Sequence, residues 1–155
     1  MTRCIAPILP ADEQKKIPQI SSANVSQDNI TVALDSIRRD SKSGAKCFHF
    51  KITVDGKDAG EFTILEESNF EKIAYQGNIG VEVYPDFSGN RLAEKVIYML
   101  LPFCKERGLS KLLLTTDPDN EAGIKTCTNL SAKFLDKLEA DNENAEKHRY
   151  VFSDF

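Results

Sequence analysis

Val81-Glu82-Val83-Tyr84-Pro85-Asp86-Phe87-Ser88-Gly89-Asn90-Arg91-Leu92-Ala93 decides the fold of this chain. Ile79, Val81 and Val83 alternate with Gly80, Glu82 and Tyr84, which is the period of a strand. Pro85 ends that strand, and a short polar turn follows. The period then switches. Leu92, Val96, Met99, Leu100, Phe103 and Cys104 recur at helical spacing, and Gly108 supplies a stop. A helix start offers unpaired N–H groups and a partial positive charge, so the turn can hold an anion without a basic side chain.

Working outward, Ile30, Val32 and Leu34 form one alternating run, and Phe48, Phe50, Ile52 and Val54 form a stronger one. Asp55-Gly56-Lys57-Asp58 is turn chemistry, and Glu61 to Leu65 returns as the hairpin partner. A further strand is expected over Ile73 to Tyr84. Pro102, inside the first helix, is expected to kink it or loosen its contact with Tyr98. Lys111 to Thr116 reads as a buried strand, and Asn120 as the cap of a helix running to about Leu130. Lys133 to Leu138 and Arg149 to Ser153 read as closing strands around an acidic loop, Asp141 to Lys147. The expected class is a mixed α/β (α+β) single domain: a central mixed, mostly antiparallel sheet with flanking helices. The unit around Arg91 to Arg107 is expected to be a right-handed crossover between parallel strands. Residues 1–28 read as an irregular arm or a short helix (Ala11 to Lys16) extra to the domain, and residues 29–155 as the folded domain.

The 155-residue length suits one domain with its own core. With 41% hydrophobic and 28% charged residues, the composition excludes collagen-like or wholly disordered chains. No apolar run approaches the roughly 18–20 residues that span a bilayer, so no membrane partner is expected. The net charge of −4 argues against duplex nucleic acid as a partner, and the pairs Lys15-Lys16 and Arg38-Arg39 are too sparse to reverse that. Cys4, Cys47, Cys104 and Cys127 show no metal-ligand spacing, so no metal is expected. The N-terminus lacks the apolar core of a secretory signal, which points to a cytoplasmic protein with reduced thiols. A Walker A loop, a dinucleotide-binding glycine fingerprint and a serine-hydrolase motif are all absent.

Val81 to Pro85 followed by Ser88-Gly89-Asn90-Arg91-Leu92-Ala93 resembles the GNAT acetyltransferase superfamily. There, an apolar-x-apolar-x-Pro strand leads into a turn that cradles the pyrophosphate of acetyl-CoA. Leu112 to Asn120, then Ala122 to Leu130, is similar to that family's next strand and last core helix. Asp117-Pro118-Asp119-Asn120, Lys125-Thr126-Cys127, Pro102 and His148-Arg149-Tyr150 are similar to an uncharacterised bacterial subgroup. The resemblance implies an N-acetyltransferase that uses acetyl-CoA as cosubstrate and transfers its acetyl group to a primary amine, small-molecule or peptide. It implies a cofactor-binding set of Val81, Val83, Ser88, Gly89, Asn90, Arg91, Leu92, Ala93 and Asn120. The chain departs from the pattern in two places. Ser88 stands where the family prefers Arg or Gln, and Arg91 where it prefers Gly. A Cβ at Arg91 narrows the cradle, or its guanidinium adds a contact to the phosphates.

Two residues are candidates for catalysis. Glu82 lies on the strand face opposite Val81 and Val83, as a base for the attacking amine or as a solvated carboxylate. Cys127 falls where many family members carry a Tyr that protonates the departing thiolate; the alternative is a buried packing residue. Asn120 is a helix cap that the resemblance also places beside the pantetheine arm. His49 reads as a surface or edge residue, and His148 as solvated. The rival function is a GNAT-fold protein that binds acyl-CoA without catalysis, as sensor or structural ligand. A third reading makes residues 1–28 or a sheet edge a partner surface. Monomer and homodimer both remain open.

Overall fold

The computed structural model describes residues 24–153 and 155. The helix expected over Ala11 to Lys16 and the rest of the extension before Asn24 lie outside the described residues. Ten strands and helices follow in order: β1 (Asn24–Gln27), β2 (Ile30–Arg39), β3 (Lys46–Val54), β4 (Lys57–Glu66), β5 (Ile79–Val83), α1 (Leu92–Glu106), β6 (Leu112–Thr116), α2 (Glu121–Asn129), β7 (Lys133–Leu138) and β8 (Lys147–Phe152). Strands β1 to β5 form one antiparallel sheet in sequence order, and β6-β8-β7 form a second. Among the described residues no helix is long and apolar enough to cross a membrane.

The antiparallel, helix-flanked α+β architecture agrees with the sequence. The β3–β4 hairpin closes at Asp55 and Gly56, both at positive φ (52° and 76°), as a two-residue turn of the primed type requires. Phe48, Phe50 and Ile52 of β3 and Phe62 and Ile64 of β4 are all at most 1% exposed. Helix α1 lays Val96, Leu100 and Phe103 into the same core. The Phe103 ring meets those of Phe48 and Phe50 edge-on at 5.0 and 5.2 Å. Each such buried side chain contributes about 1.5–3 kcal/mol, which fixes the helix on the sheet. The helix runs through Pro102 without a break to Glu106, and Gly108, φ 78°, follows its cap residue Arg107.

Four details differ from the expectations. Asn24–Gln27, read as part of an irregular arm, pairs with β2 as β1. The strand expected from Ile73 begins only at Ile79. Before it, Asn69 accepts a hydrogen bond from Glu71 N and starts a short 3-10 turn over Phe70–Ile73. His49 is 7% exposed rather than on the surface, in register with Ser36 of β2 and Thr63 of β4, both also buried. Last, the strands flanking α1 share no ladder: β5 and β6 belong to different sheets.

The two sheets meet at Asn78, just before β5. Its backbone N–H donates to Leu113 O at 2.7 Å, and its Oδ1 accepts from Leu113 N at 2.7 Å. Its Nδ2 donates to Leu65 O and Glu67 O at 3.0 and 2.8 Å. Its carbonyl accepts from Leu65 N at 2.8 Å. The side chain is 1% exposed with both its polar atoms engaged. Beyond this residue β5 and β6 go their separate ways, and the site lies there.

Candidate functional site

The outer edge of β5 can be read from its ladder. Leu65 N donates to Asn78 O, and Tyr84 N donates to Ala59 O, each at 2.8 Å. Antiparallel pairs alternate between bonded and non-bonded, so the bonded pairs on β4 fall at Asn78, Gly80, Glu82 and Tyr84. Val81 and Val83, opposite Phe62 and Gly60, are the non-bonded positions. Their N–H and C=O groups therefore point away from β4, toward the space between the two sheets.

Past β5, a short 3-10 turn covers Pro85–Phe87. Ser88 Oγ donates to Pro85 O at 2.8 Å, and Gly89 takes φ 85°. Arg91 caps α1 with φ 56° and ψ 29°, the left-handed conformation that glycine adopts at least cost. No side chain caps this end of the helix, and the N–H groups of its first turn have no intrahelical acceptor. The Arg91 guanidinium turns onto Glu94 in a fork, Nε to Oε2 and Nη2 to Oε1, both at 2.8 Å. The carboxylate holds the Arg91 pKa above its ordinary value.

Facing this turn is α2. Val83, Ser88, Gly89, Arg91, Leu92 and Ala93 line one wall of an open cleft of about 200 Å³. Ala122, Lys125, Thr126 and Asn129 line the other. Sequence reasoning missed Phe87, Glu94 and these four of α2. The spacing of the four, at three, four and seven residues, marks one face of a helix, and that is the signal that could have found them. Asn90 faces away, into a second hollow with Asn29, Val54 and Lys95.

Solved structures share this architecture. The microcin C7 self-immunity acetyltransferase MccE, in complex with acetyl-CoA and AMP, aligns with a TM-score of 0.55 at 17% identity, over 68% of this chain and 59% of its own. The Salmonella typhimurium acetyltransferase that modifies the N-terminal serine of ribosomal protein L7/L12 aligns with a TM-score of 0.55 at 17% identity, over 68% of this chain and 62% of its own. A candidate acetyltransferase aligns over 83% of this chain and 88% of its own, with a TM-score of 0.63 at 12% identity. The chain has the GNAT acetyltransferase fold. It spans about six-tenths of the length of the first two of these proteins. No family model matches the sequence, and no curated protein matches it.

Within the GNAT fold, the expected residues separate into groups. Ser88, Gly89, Arg91, Leu92 and Ala93 come together with Val83 at the cleft. Glu82 lies on the far face of β5, exposed and in register with Glu61 of β4. With Thr63 and Gly80, these two carboxylates border a small notch on that face. Asn120 caps α2, its Oδ1 accepting from Gly123 N at 3.0 Å, and does not line the cleft.

Cys127 is fully buried within the main core and does not line the cleft either. Burial pushes its thiol up to about 11. That keeps the proton on sulfur. His49 carries a buried Nε2 without a hydrogen-bond partner, in register with Ser36 and Thr63. Lys147 and Asp117 pair at 2.5 Å beyond the end of β6, and Arg149 forks onto Asp136 across β7 and β8 at 2.6 Å.

Proposed function

We propose that the protein is an acetyl-CoA-dependent N-acetyltransferase acting on a primary amine. The observation that carries this is the free edge of β5: outward N–H groups at Val81 and Val83 run directly into an uncapped helix start on a cleft. The residues suit the cosubstrate. Gly89 and Arg91 take positive φ just before the helix start, where first-turn N–H groups lack intrahelical acceptors, and a pyrophosphate is an anion that backbone donors can hold. Ser88 to Ala93 hold the pyrophosphate, and the β5 edge holds the pantetheine arm and polarises the thioester carbonyl. The thioester supplies an activated acetyl group: the amine nitrogen forms the new C–N bond, the C–S bond breaks, and the sulfur leaves as a thiolate that takes a proton from water. Glu82, on the opposite face of the same strand, accepts the amine proton directly or through water. The setting proposed is the cytoplasm, and no metal takes part.

The deciding experiment is thiol release over a panel of primary amines, run beside a direct CoA titration. Release above background with at least one amine supports transfer. The burial of Cys127 favours a second reading, an acyl-CoA binder without turnover, since this thiol packs in the core and does not line the cleft. Binding without release for any amine selects it, and absence of binding removes both.

A further inference from the structure

The Arg91–Glu94 fork sits on the wall of the cleft, and both residues line it. The two partners are unequal. The Glu94 side chain is 10% exposed, whereas that of Arg91 is 60% exposed. A carboxylate in the first turn of a helix is held by the same partial positive charge that attracts an incoming anion. Glu94 is thus a built-in competitor for any phosphate at this helix start. Two donors of Arg91 point at it in the planar, bidentate geometry that fixes both groups.

We infer that Arg91 serves anion binding indirectly: it is a positioning residue that neutralises Glu94, rather than a ligand of the phosphates. The guanidinium cancels a negative charge that would otherwise face the pyrophosphate across the same first turn. The left-handed backbone at Arg91 keeps the turn open to the phosphates, and the side chain keeps the turn electrically receptive. This rests on the N-acetyltransferase reading, since it supposes CoA as the anion. It makes Arg91 and Glu94 an inseparable pair for binding: the arginine matters only while the glutamate is present.

The test is a double-mutant cycle on the full chain, with CoA affinity as readout by calorimetric titration at low and moderate salt. Arg91→Ala is expected to weaken CoA binding about tenfold, the size of one poorly screened like charge beside a bound anion. Arg91→Gly, free of backbone strain at positive φ, should weaken it similarly. Glu94→Gln alone should bind at least as well as the parent. Arg91→Ala combined with Glu94→Gln should return to within about threefold of the parent, with a smaller salt dependence than Arg91→Ala. A double variant as weak as Arg91→Ala makes Arg91 a direct phosphate ligand and overturns the inference alone. A parent protein that binds no CoA overturns the N-acetyltransferase reading and the inference together.

Discussion

Asn78 and Leu113 share two hydrogen bonds of 2.7 Å, one from each side's backbone N–H, and the second ends on the Asn78 side chain. The side chain thereby performs the task of a peptide group. Its Nδ2 occupies Leu65 O, which frees the Asn78 backbone N–H to leave β4 and reach the second sheet. One residue so joins two sheets at the point from which they part.

Replacing Asn78 should cost more than its size suggests. Asn78→Ala leaves Leu113 N, Leu65 O and Glu67 O without these partners inside the protein. A loss of about 2–4 kcal/mol is expected, at the upper end for single substitutions. Urea unfolding measures it, and a loss below about 1 kcal/mol contradicts the clasp.

Two glycines with similar φ should respond differently to the same change. Gly77 has φ +68°, and an added Cβ would lie 2.6 Å from Leu113 O. Gly56 has φ +76° with nothing within 4 Å. Gly56→Ala is expected to cost about 1–2 kcal/mol from the backbone alone. Gly77→Ala should cost clearly more, because the clash falls on backbone beside the clasp. Thermal unfolding of the two variants in parallel gives the comparison.

Cys127→Ala is expected to lower stability by about 1–2 kcal/mol with no selective loss of turnover. The side chain fills core and does not line the cleft. A thiol pushed up to about 11 by burial stays protonated at neutral pH, so alkylation should await unfolding. A large fall in kcat at unchanged stability would return the proton-donor role to this residue.

Glu82 is exposed, so Glu82→Gln should leave stability within about 0.5 kcal/mol of the parent. If it accepts the amine proton, kcat should fall on the order of 10²-fold or more, with CoA affinity unchanged. Equal turnover in both proteins would make it a solvated carboxylate.

Acid should act through two closing-strand pairs. The hydrogen bond and charge of Arg149 hold the Asp136 pKa below its ordinary value, and those of Lys147 hold Asp117 down. A depressed folded pKa means stability that is complete above the unfolded value and lost as pH falls through the folded one. The loss should therefore begin near pH ~4 and continue below it. Both carboxylates are substantially open to water, so the effect is small. Asp136→Asn should flatten the stability curve in that window without changing its slope at neutral pH.

Much of this architecture was legible because period and turn chemistry agree locally. The alternation of Phe48 to Val54, the Asp55-Gly56 turn and the helical spacing from Leu92 each name their element without outside help. The stretch from Ile73 to Asn78 was not legible as it stands. Apolar Ile73 and Tyr75 imitate strand spacing, while the deciding contact, Asn78 with Leu113, spans 35 residues. His49 was misjudged for a similar reason. Alternation reports which face a residue takes, not whether that face is covered: His49 is buried while Lys51, two residues on and on the same face, is exposed. At the cleft, one wall could be read from the strand–turn–helix sequence. For the α2 wall, spacing groups Ala122, Lys125, Thr126 and Asn129 on one helix face, but only packing settles that this face meets the turn.

Arg91 carries one more consequence. What the turn requires is a torsion angle, and arginine meets the requirement without being glycine. For folding, the residues tolerated at this position should rank by how readily each enters positive φ: Gly first, then Asn and Asp, with Val and Ile last. A motif spelled in letters passes over such a site; one spelled in dihedrals finds it.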